Sequence, residues 1–297
     1  MMAMARFSRS IALVVCGAAL ASCSLTSLDG FSEPPSAAAG DGGDDGANTS
    51  STETGVDAGV DSGMDAGVDT GSPDADAGPF CASRTDSTFC EDFDVPSRPP
   101  LPVTRHGGGV DTIDSNAALS APNALRIDLG PSTTDGDAQA YRTMTMNVTT
   151  LPHQVVLEWA IRLDEVASAS ISAASIAIVQ GSNRYEAVVD VGASDLLIEQ
   201  TFTSAPPASV AHSVPQNRRV QLGTWTRLKM DLTRAGSSWK ATLSRDGEVS
   251  LADVPLSTWD GISGADSVVF AVGGLYSTAS PTPLTFRFDD LAGLVVP

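Results

Sequence analysis

The chain has 297 residues and a formal net charge of −19 at pH 7, and 5% of its residues are aromatic. Its two lysines are Lys229 and Lys240, so there is no basic stripe that could neutralise a run of phosphates. The composition therefore excludes a nucleic-acid-binding protein, and no nucleic acid partner is expected.

The first 22 residues have the three parts of an export signal. Two arginines give a positive start, Ile11–Leu20 is apolar, and the small residues Ala21 and Ser22 precede Cys23. The apolar run is shorter than the about 20 residues that a membrane-spanning helix needs. The L-A-S-C pattern ending at Cys23 resembles the lipobox of bacterial lipoproteins, which implies cleavage before this cysteine and its lipidation. An ordinary secretory signal is the alternative.

The lipoprotein resemblance predicts an address and a partner. Acylation of Cys23 would anchor the chain in a lipid bilayer, and Ser24 in place of Asp favours the outer membrane, at the cell surface or in the periplasm. Because Cys16 leaves with the signal and Cys23 takes the lipid, Cys81 and Cys90 remain. Two cysteines in an oxidising compartment most often pair, so we predict a disulfide that contributes about 2–3 kcal/mol.

Residues 23–79 are typical of a disordered linker behind the lipidated cysteine. From Asp29 to Pro79 there are ten Asp, two Glu and no Lys or Arg, with a degenerate four-residue repeat over Val56–Gly71. Such one-sided charge and low hydrophobicity do not support a packed core. The Asp residues of the repeat lie four apart, whereas calcium loops space their carboxylates two apart, so a solvated spacer is expected.

From Phe80 onward the sequence predicts one all-β domain over 80–297. In Val155–Asp164 every odd-numbered residue is apolar, including Trp159, which is typical of a strand with one buried face. Turn signals separate such segments and no sustained helical period occurs, which favours a β-sandwich. Further predicted strands are Thr226–Leu232, Leu284–Phe288, Ala124–Leu129, Ala140–Val148, Ile176–Gln180, Tyr185–Val191, Leu196–Phe202, Trp239–Ser244 and Val268–Leu275.

The order of several phrases resembles the concanavalin A-like lectin/glucanase superfamily, in its laminin-G-like and bacterial jelly-roll branches. The phrases are Phe89–Asp94, Ala124–Leu129, Trp225–Leu232, Trp239 followed by Asp246-Gly247, and Phe288–Leu291. The resemblance implies a jelly-roll β-sandwich of two antiparallel sheets. The fold hosts lectins, hydrolases, lyases and adhesion modules, so function has to be argued from the site.

The resemblance also implies a structural calcium, which carbohydrate-binding relatives often hold between the two ends of the domain. Hard carboxylate oxygens suit that ion. The candidate ligands are Glu91, Asp92 and Asp94 on the first strand, and Asp289 and Asp290 on the last strand. The alternative is a set of exposed acids at a sheet edge, with one Asp capping a turn.

Four aromatic residues are candidates for glycan binding, since aromatic rings stack on the apolar faces of pyranose rings. Tyr141, Tyr185, Trp225 and Tyr276 each fall near a strand end or on a face of mixed polarity. Core packing is the alternative for each of them. The three histidines are scattered and are expected in surface loops.

Catalytic signatures are weak. Glu186 and Asp190 share a strand face, but Val188 replaces the central carboxylate of the glucanase pattern. Their backbones lie roughly 13 Å apart along a strand, too far for the about 5 Å separation of a retaining glycosidase. The Tyr-Arg neighbours at 141–142 and 184–185 point to opposite faces of their strands, which disfavours a lyase pair.

The sequence therefore favours a surface-anchored, non-catalytic module that binds carbohydrate or mediates adhesion. One alternative is a glycan-degrading hydrolase or polysaccharide lyase of the same superfamily. Another is a structural envelope protein that binds a second protein. The expected partners are a lipid bilayer and a polysaccharide.

Overall fold

A computed structural model describes residues 80–94, 101–165, 169–202 and 208–297 of the chain. The predicted signal (1–22), the lipidation site at Cys23 and the linker up to residue 79 lie outside the described residues. Within those four ranges, no helix is long and apolar enough to cross a bilayer.

The described residues form fifteen strands and three short 3-10 helices. The helices are Phe80–Ser83, Gln216–Arg218 and Ser257–Trp259. The strands are β1 (Phe89–Glu91), β2 (Val103–His106), β3 (Val110–Asp114), β4 (Ala124–Leu129), β5 (Gln139–Asn147), β6 (Gln154–Glu165), β7 (Ser170–Gln180), β8 (Asn183–Gly192), β9 (Leu196–Phe202), β10 (Ala208–Ser213), β11 (Thr226–Ala235), β12 (Ser238–Arg245), β13 (Glu248–Pro255), β14 (Ser267–Ser277) and β15 (Leu284–Val296).

The strands form two sheets in which the named strands pair antiparallel. The first sheet has eight strands in the order β13-β12-β11-β6-β15-β4-β3, with β1 also paired to β15. The second sheet has seven strands in the order β10-β9-β8-β7-β14-β5-β2. This is the jelly-roll β-sandwich of two antiparallel sheets that the sequence predicted.

Every strand predicted from alternation is present, and Trp159 is fully buried as expected. The prediction missed β2, β3, β10 and β13. These strands are short or largely exposed and carry no apolar stripe; all four residues of β2 are exposed, for example. Their pairing with longer neighbours, rather than their own sequence pattern, makes them strands.

The core lies between the two sheets and is built from alternate residues of both. Trp159, Trp239, Trp259, Phe270 and Phe286 are among its largest fully buried side chains. The edge of the Trp239 ring meets Trp259, with 5.6 Å between the ring centroids. Aromatic residues therefore serve mainly the interior, as the low aromatic content suggested.

The predicted disulfide between Cys81 and Cys90 is confirmed. It joins the first 3-10 helix to β1, which pairs with the last strand, so that Phe89 lies opposite Gly293. The Phe89 ring also packs on Phe270 of the second sheet, at 5.1 Å between centroids. The beginning of the domain is thus tied to its final strand and to both sheets.

Candidate functional site

The outward direction of Tyr141 follows from its neighbours on β5. Ala140 is buried in the core, and Arg142 also points inward, where its Nη2 donates to Asp111 at 2.9 Å. Because successive side chains of a strand alternate between its two faces, Tyr141 lies on the outer face of the second sheet. It is half-buried there.

Tyr276 reaches the same outer face at an irregular point of β14. The register against β7 shifts between Val272 and Tyr276, which places Tyr276 opposite Ser172. Its ring packs on Gly136, whose φ is +73°; a Cβ on that glycine would lie 2.6 Å from Cε2 of the ring. A glycine in the β4–β5 connection therefore makes the seat for this tyrosine.

A half-buried carboxyl, that of Asp190, lies near Tyr276. The Ser172 hydroxyl donates to Asp190 at 2.6 Å, and burial raises the pKa of the Asp190 carboxyl. Burial also raises the pKa of Tyr276, and the charges of Asp135 and Asp190 add to that rise. The phenol is therefore near both acidic side chains.

An ion pair occupies the neighbouring part of β8. Arg184 donates to Glu186 from Nε at 3.0 Å and from Nη2 at 2.8 Å, a bidentate arrangement. Burial lowers the pKa of Arg184, but the hydrogen bond and charge of Glu186, together with Tyr141, raise it overall. Tyr141 lies on β5, three strands away from Arg184 on β8 in the same sheet.

The side chains between these groups are short. Ser175, Ala177 and Ala271 are buried on the outer face, in register with Val188 and Glu186 of β8. The two tyrosines and the ion pair are longer and rise above this floor. The outer face of the second sheet thus combines aromatic rings with hydrogen-bonding groups, and we call the set Tyr141, Ser172, Arg184, Glu186, Asp190 and Tyr276 the sheet-two face.

The prediction for Tyr185 is wrong. Its side chain is 5% exposed and lies in the core, 6.4 Å from Trp259 between ring centroids. The reason is strand alternation: Arg184 and Glu186 point outward, so Tyr185 points inward. The aliphatic residues of β8 in phase with it carried this signal in the sequence.

Trp225 lies apart from the two tyrosines. It precedes β11 of the first sheet, and its Nε1 donates to the carbonyl of Ala117 at 3.2 Å. The next residue, Thr226, is buried on the core side. Trp225 therefore lies on the first sheet and stabilises the β3–β4 connection, and it does not join the sheet-two face.

The acidic residues of the two domain ends do come together. β1 ends at Glu91, so Asp92 and Asp94 follow the strand and do not lie on it as predicted. Burial raises the pKa of Asp94, and the charges of Asp92 and Asp290 add to that rise. Asp92, Asp289 and Asp290 are each at most 1% exposed. The alternative of exposed edge acids is therefore wrong for these three.

Protein donors already surround the acids of β15. Asp289 accepts the backbone N–H groups of Leu119 and Ser120 at 2.9 and 3.0 Å, and Asp290 accepts the Ser120 hydroxyl and pairs with Arg227. These contacts do not fit a calcium-ligand role for Asp289 and Asp290. In the part of the chain that the structure describes, no three His, Cys, Asp or Glu side chains are arranged to hold a metal ion.

A shallow cavity of about 500 Å³ lies beside the first 3-10 helix. The ring of Phe80, the first residue of this helix, packs between the guanidinium groups of Arg84 and Arg227, which lie 4.7 and 5.3 Å from the ring centroid. Arg84 is paired with Glu158, and Arg227 with Asp290. These arginines hold the start of the domain on the first sheet, and their charges are already matched.

None of the three histidines belongs to the sheet-two face. His106 and His212 lie on the edge strands β2 and β10, not in loops as predicted, and His212 contacts the buried Glu199 at 3.4 Å. His153 is exposed in a connection. The residues that sequence reasoning missed for the site are Arg184 and Ser172. The outward phase of β8 was the signal for Arg184.

No protein-family profile matches the chain, and no curated protein matches it. Among solved structures, an endo-β-1,4-glucuronan lyase from the fungus Trichoderma reesei is similar over 71% of this chain and 96% of its own, with a TM-score of 0.51 and 14% identity. A cellulose-induced protein covers 69% and 96%, with a TM-score of 0.47 and 14% identity.

The catalytic domain of an endo-1,3-β-glucanase from Thermotoga petrophila is also similar, over 70% of this chain and 96% of its own. Its TM-score is 0.42 and its identity 10%. At these identities the likeness shows the fold alone. The likeness to the glucuronan lyase agrees with the strand order: the described domain is a jelly-roll β-sandwich.

Proposed function

We propose that this protein binds a polysaccharide on the sheet-two face without cleaving it. The observation that carries the proposal is that Tyr141 and Tyr276 lie on one outer face, on the neighbouring strands β5 and β14, and that hydrogen-bonded polar groups lie on the next two strands, β7 and β8. Aromatic rings stack on sugar rings, and a few oriented polar groups satisfy the hydroxyls. The fold supports the same proposal, since a structure of this fold is that of an enzyme that acts on glucuronan.

We prefer binding without hydrolysis because each of the two outward carboxyls of β8 is hydrogen-bonded to its own partner. Glu186 is held by Arg184, while Asp190 is held by Ser172, and Val188 stands between them. Each carboxyl has its own partner, and the two lie four residues apart. This arrangement does not give the close carboxyl pair that a retaining glycosidase uses.

A lyase is the second candidate, and one observation favours it. Tyr141 and Arg184 both point outward from the second sheet, and the phenol of Tyr141 contributes to the raised pKa of Arg184. A tyrosine base and a cation on one face are the groups that β-elimination of a uronate needs. Release of unsaturated product from polyuronates, measured by ultraviolet absorbance, would establish this activity in place of pure binding.

We expect Tyr141→Ala and Tyr276→Ala each to weaken polysaccharide binding about tenfold, or roughly 1.4 kcal/mol, because each removes one stacking ring. Affinity electrophoresis in gels containing single polysaccharides measures the effect. Trp225→Ala is the control, since this ring lies on the other sheet and should leave binding unchanged. Equal retardation of both tyrosine variants and the wild type would refute the proposed face.

The seat of Tyr276 gives a second variant for the same experiment. Gly136→Ala should displace the ring, because the new Cβ would lie 2.6 Å from it, and should weaken binding to a similar extent. Gly181→Ala is the matched control: its φ is +59°, so the backbone strain is comparable, but a Cβ there meets nothing within 4 Å. Loss of binding in both would indicate general destabilisation.

We further propose that the protein is exported and held by lipid on Cys23, at the outer membrane. The L-A-S-C pattern supports this, and so does the Cys81–Cys90 disulfide, since such bonds persist in oxidising compartments. Cys23→Ser should move the protein from the detergent-extracted membrane fraction to the soluble fraction. Cys16→Ser, within the signal, should leave it in the membrane fraction. A membrane-bound Cys23→Ser protein would contradict lipid anchoring.

A further inference from the structure

We infer that the sheet-two face selects uncharged polysaccharides and rejects polyuronates. The inference rests on the proposed polysaccharide binding and names its substrate class. It follows from the charges that the strands of the second sheet direct outward, and from how each of those charges is already matched. The structural neighbour that acts on glucuronan gives no reason to expect this preference, so it has to be argued from the residues.

The outward charges of this sheet are few and mostly acidic. On the described strands of the second sheet, one arginine points outward, Arg184, and no lysine, together with the acidic Glu186 and Asp190. The outward His106 of β2 contacts the carbonyl of Asp137. The other two arginines of these strands, Arg105 and Arg142, pair with Asp111 of the first sheet. They are turned away from the sheet-two face.

The single outward cation is already matched. Both Nε and Nη2 of Arg184 are bound by the carboxylate of Glu186, whose side chain is 11% exposed. A uronate would have to displace this carboxylate or share the guanidinium with it. The competing group is held two residues away on the same strand, so the displacement has no compensating gain.

The β4–β5 connection adds negative and neutral groups, and its residues 130–138 contain no arginine or lysine. The negative charge of Asp135, in the β4–β5 connection, acts on Tyr276. The Asp135 Oδ1 accepts the backbone N–H of Ala279 at 2.6 Å. Asp190 accepts the Ser172 hydroxyl, and burial raises the pKa of its carboxyl. A hydrogen-bonded carboxyl and a phenol suit sugar hydroxyls, whereas a polyanion meets repulsion from Asp135.

The experiment compares the wild type with Glu186→Gln in affinity electrophoresis against two uncharged glycans, laminarin and xylan, and two polyuronates, polyglucuronate and alginate. The wild type should bind an uncharged glycan at least tenfold more tightly than either polyuronate. Glu186→Gln frees the charge of Arg184, so polyuronate affinity should rise at least fivefold and fall again with added salt. Glu248→Gln, which breaks the exposed pair with Arg218 on the first sheet, should leave polyuronate affinity unchanged.

The possible results distinguish the charge preference from polysaccharide binding itself. Wild-type protein that binds polyuronates as tightly as uncharged glycans overturns the charge preference while polysaccharide binding stands. If the wild-type protein binds none of the four glycans, polysaccharide binding itself is overturned. An unchanged polyuronate affinity in Glu186→Gln, or the same gain in Glu248→Gln, also overturns the charge preference.

Discussion

Trp259→Ala should lower the free energy of unfolding by about 3–5 kcal/mol, the usual cost of emptying a large buried aromatic site. The indole is fully buried and contacts both Tyr185 and Trp239. It also ends the last 3-10 helix, which is held by Glu199 through the Thr258 backbone N–H at 2.9 Å. Urea denaturation followed by fluorescence measures the change.

This substitution also tests how the core supports the sheet-two face. Tyr185 packs on Trp259 from β8, and its neighbours Arg184 and Glu186 are the outward ion pair. Trp225→Ala is the matched control, because that ring is only partly buried and loses one hydrogen bond to Ala117, at a cost of about 1 kcal/mol. Similar losses for the two tryptophans would contradict the assigned packing.

The domain should lose stability as the pH rises from about 4 to about 8. Burial, with the charge of Asp290, raises the pKa of Asp289 to about 8 from its ordinary 3.8, although backbone donors from Ser120, Asp290 and Leu119 oppose the rise. In this window the folded carboxyl keeps a proton that the unfolded chain releases. The stability that this proton contributes is therefore complete below pH 4 and is lost as the pH approaches 8.

Other acids shift the same way. Burial raises the pKa of Asp94, Asp190 and Asp195, so each also favours the folded state at lower pH. Asp114 shifts downward, chiefly through the backbone N–H of Asn116, and its stabilising effect is lost only below about pH 4. The change in stability between pH 4 and pH 8 is therefore governed by the acids whose pKa is raised, and Asp289 is expected to contribute most.

Urea midpoints at pH 5, 6, 7 and 8 measure this slope, to which the single proton of Asp289 contributes at most about 1.4 kcal/mol per pH unit. Asp289→Asn should flatten the decline, because the amide does not ionise, although it lowers stability at pH 5 by disturbing the donors of Leu119 and Ser120. Asp260→Asn, at an exposed site, is the control and should keep the wild-type slope. Stability that rises from pH 5 to pH 8 would contradict the assignment.

Local alternation was enough to predict the long strands. The period of two in Val155–Asp164 identified β6, and the same rule placed Trp159 in the core. The rule failed for Tyr185 because the residue was judged by its type and not by its phase with the aliphatic side of β8. The short strand β2 carried no pattern, since its partner β5 decides its conformation.

The site could be predicted only in part, because it is made by strand order. Tyr141 and Arg184 are 43 positions apart in sequence and share one sheet face through the order β8-β7-β14-β5, which no local pattern contains. Tyr276 faces the same way only because the register of β14 shifts before it. The approach of Asp94 to Asp290 likewise depends on β1 lying beside β15.

The pairing of β1 with β15 has a mechanical consequence. Tension arriving from the chain ahead of Phe80 would pass through the Cys81–Cys90 crosslink directly into the middle of β1, so the intervening loop would carry no load. From there it would act along the short ladder between Phe89–Glu91 and the closing strand. Rupture should therefore begin by sliding these two strands past each other, well before the sheet that carries the tyrosines is pulled apart.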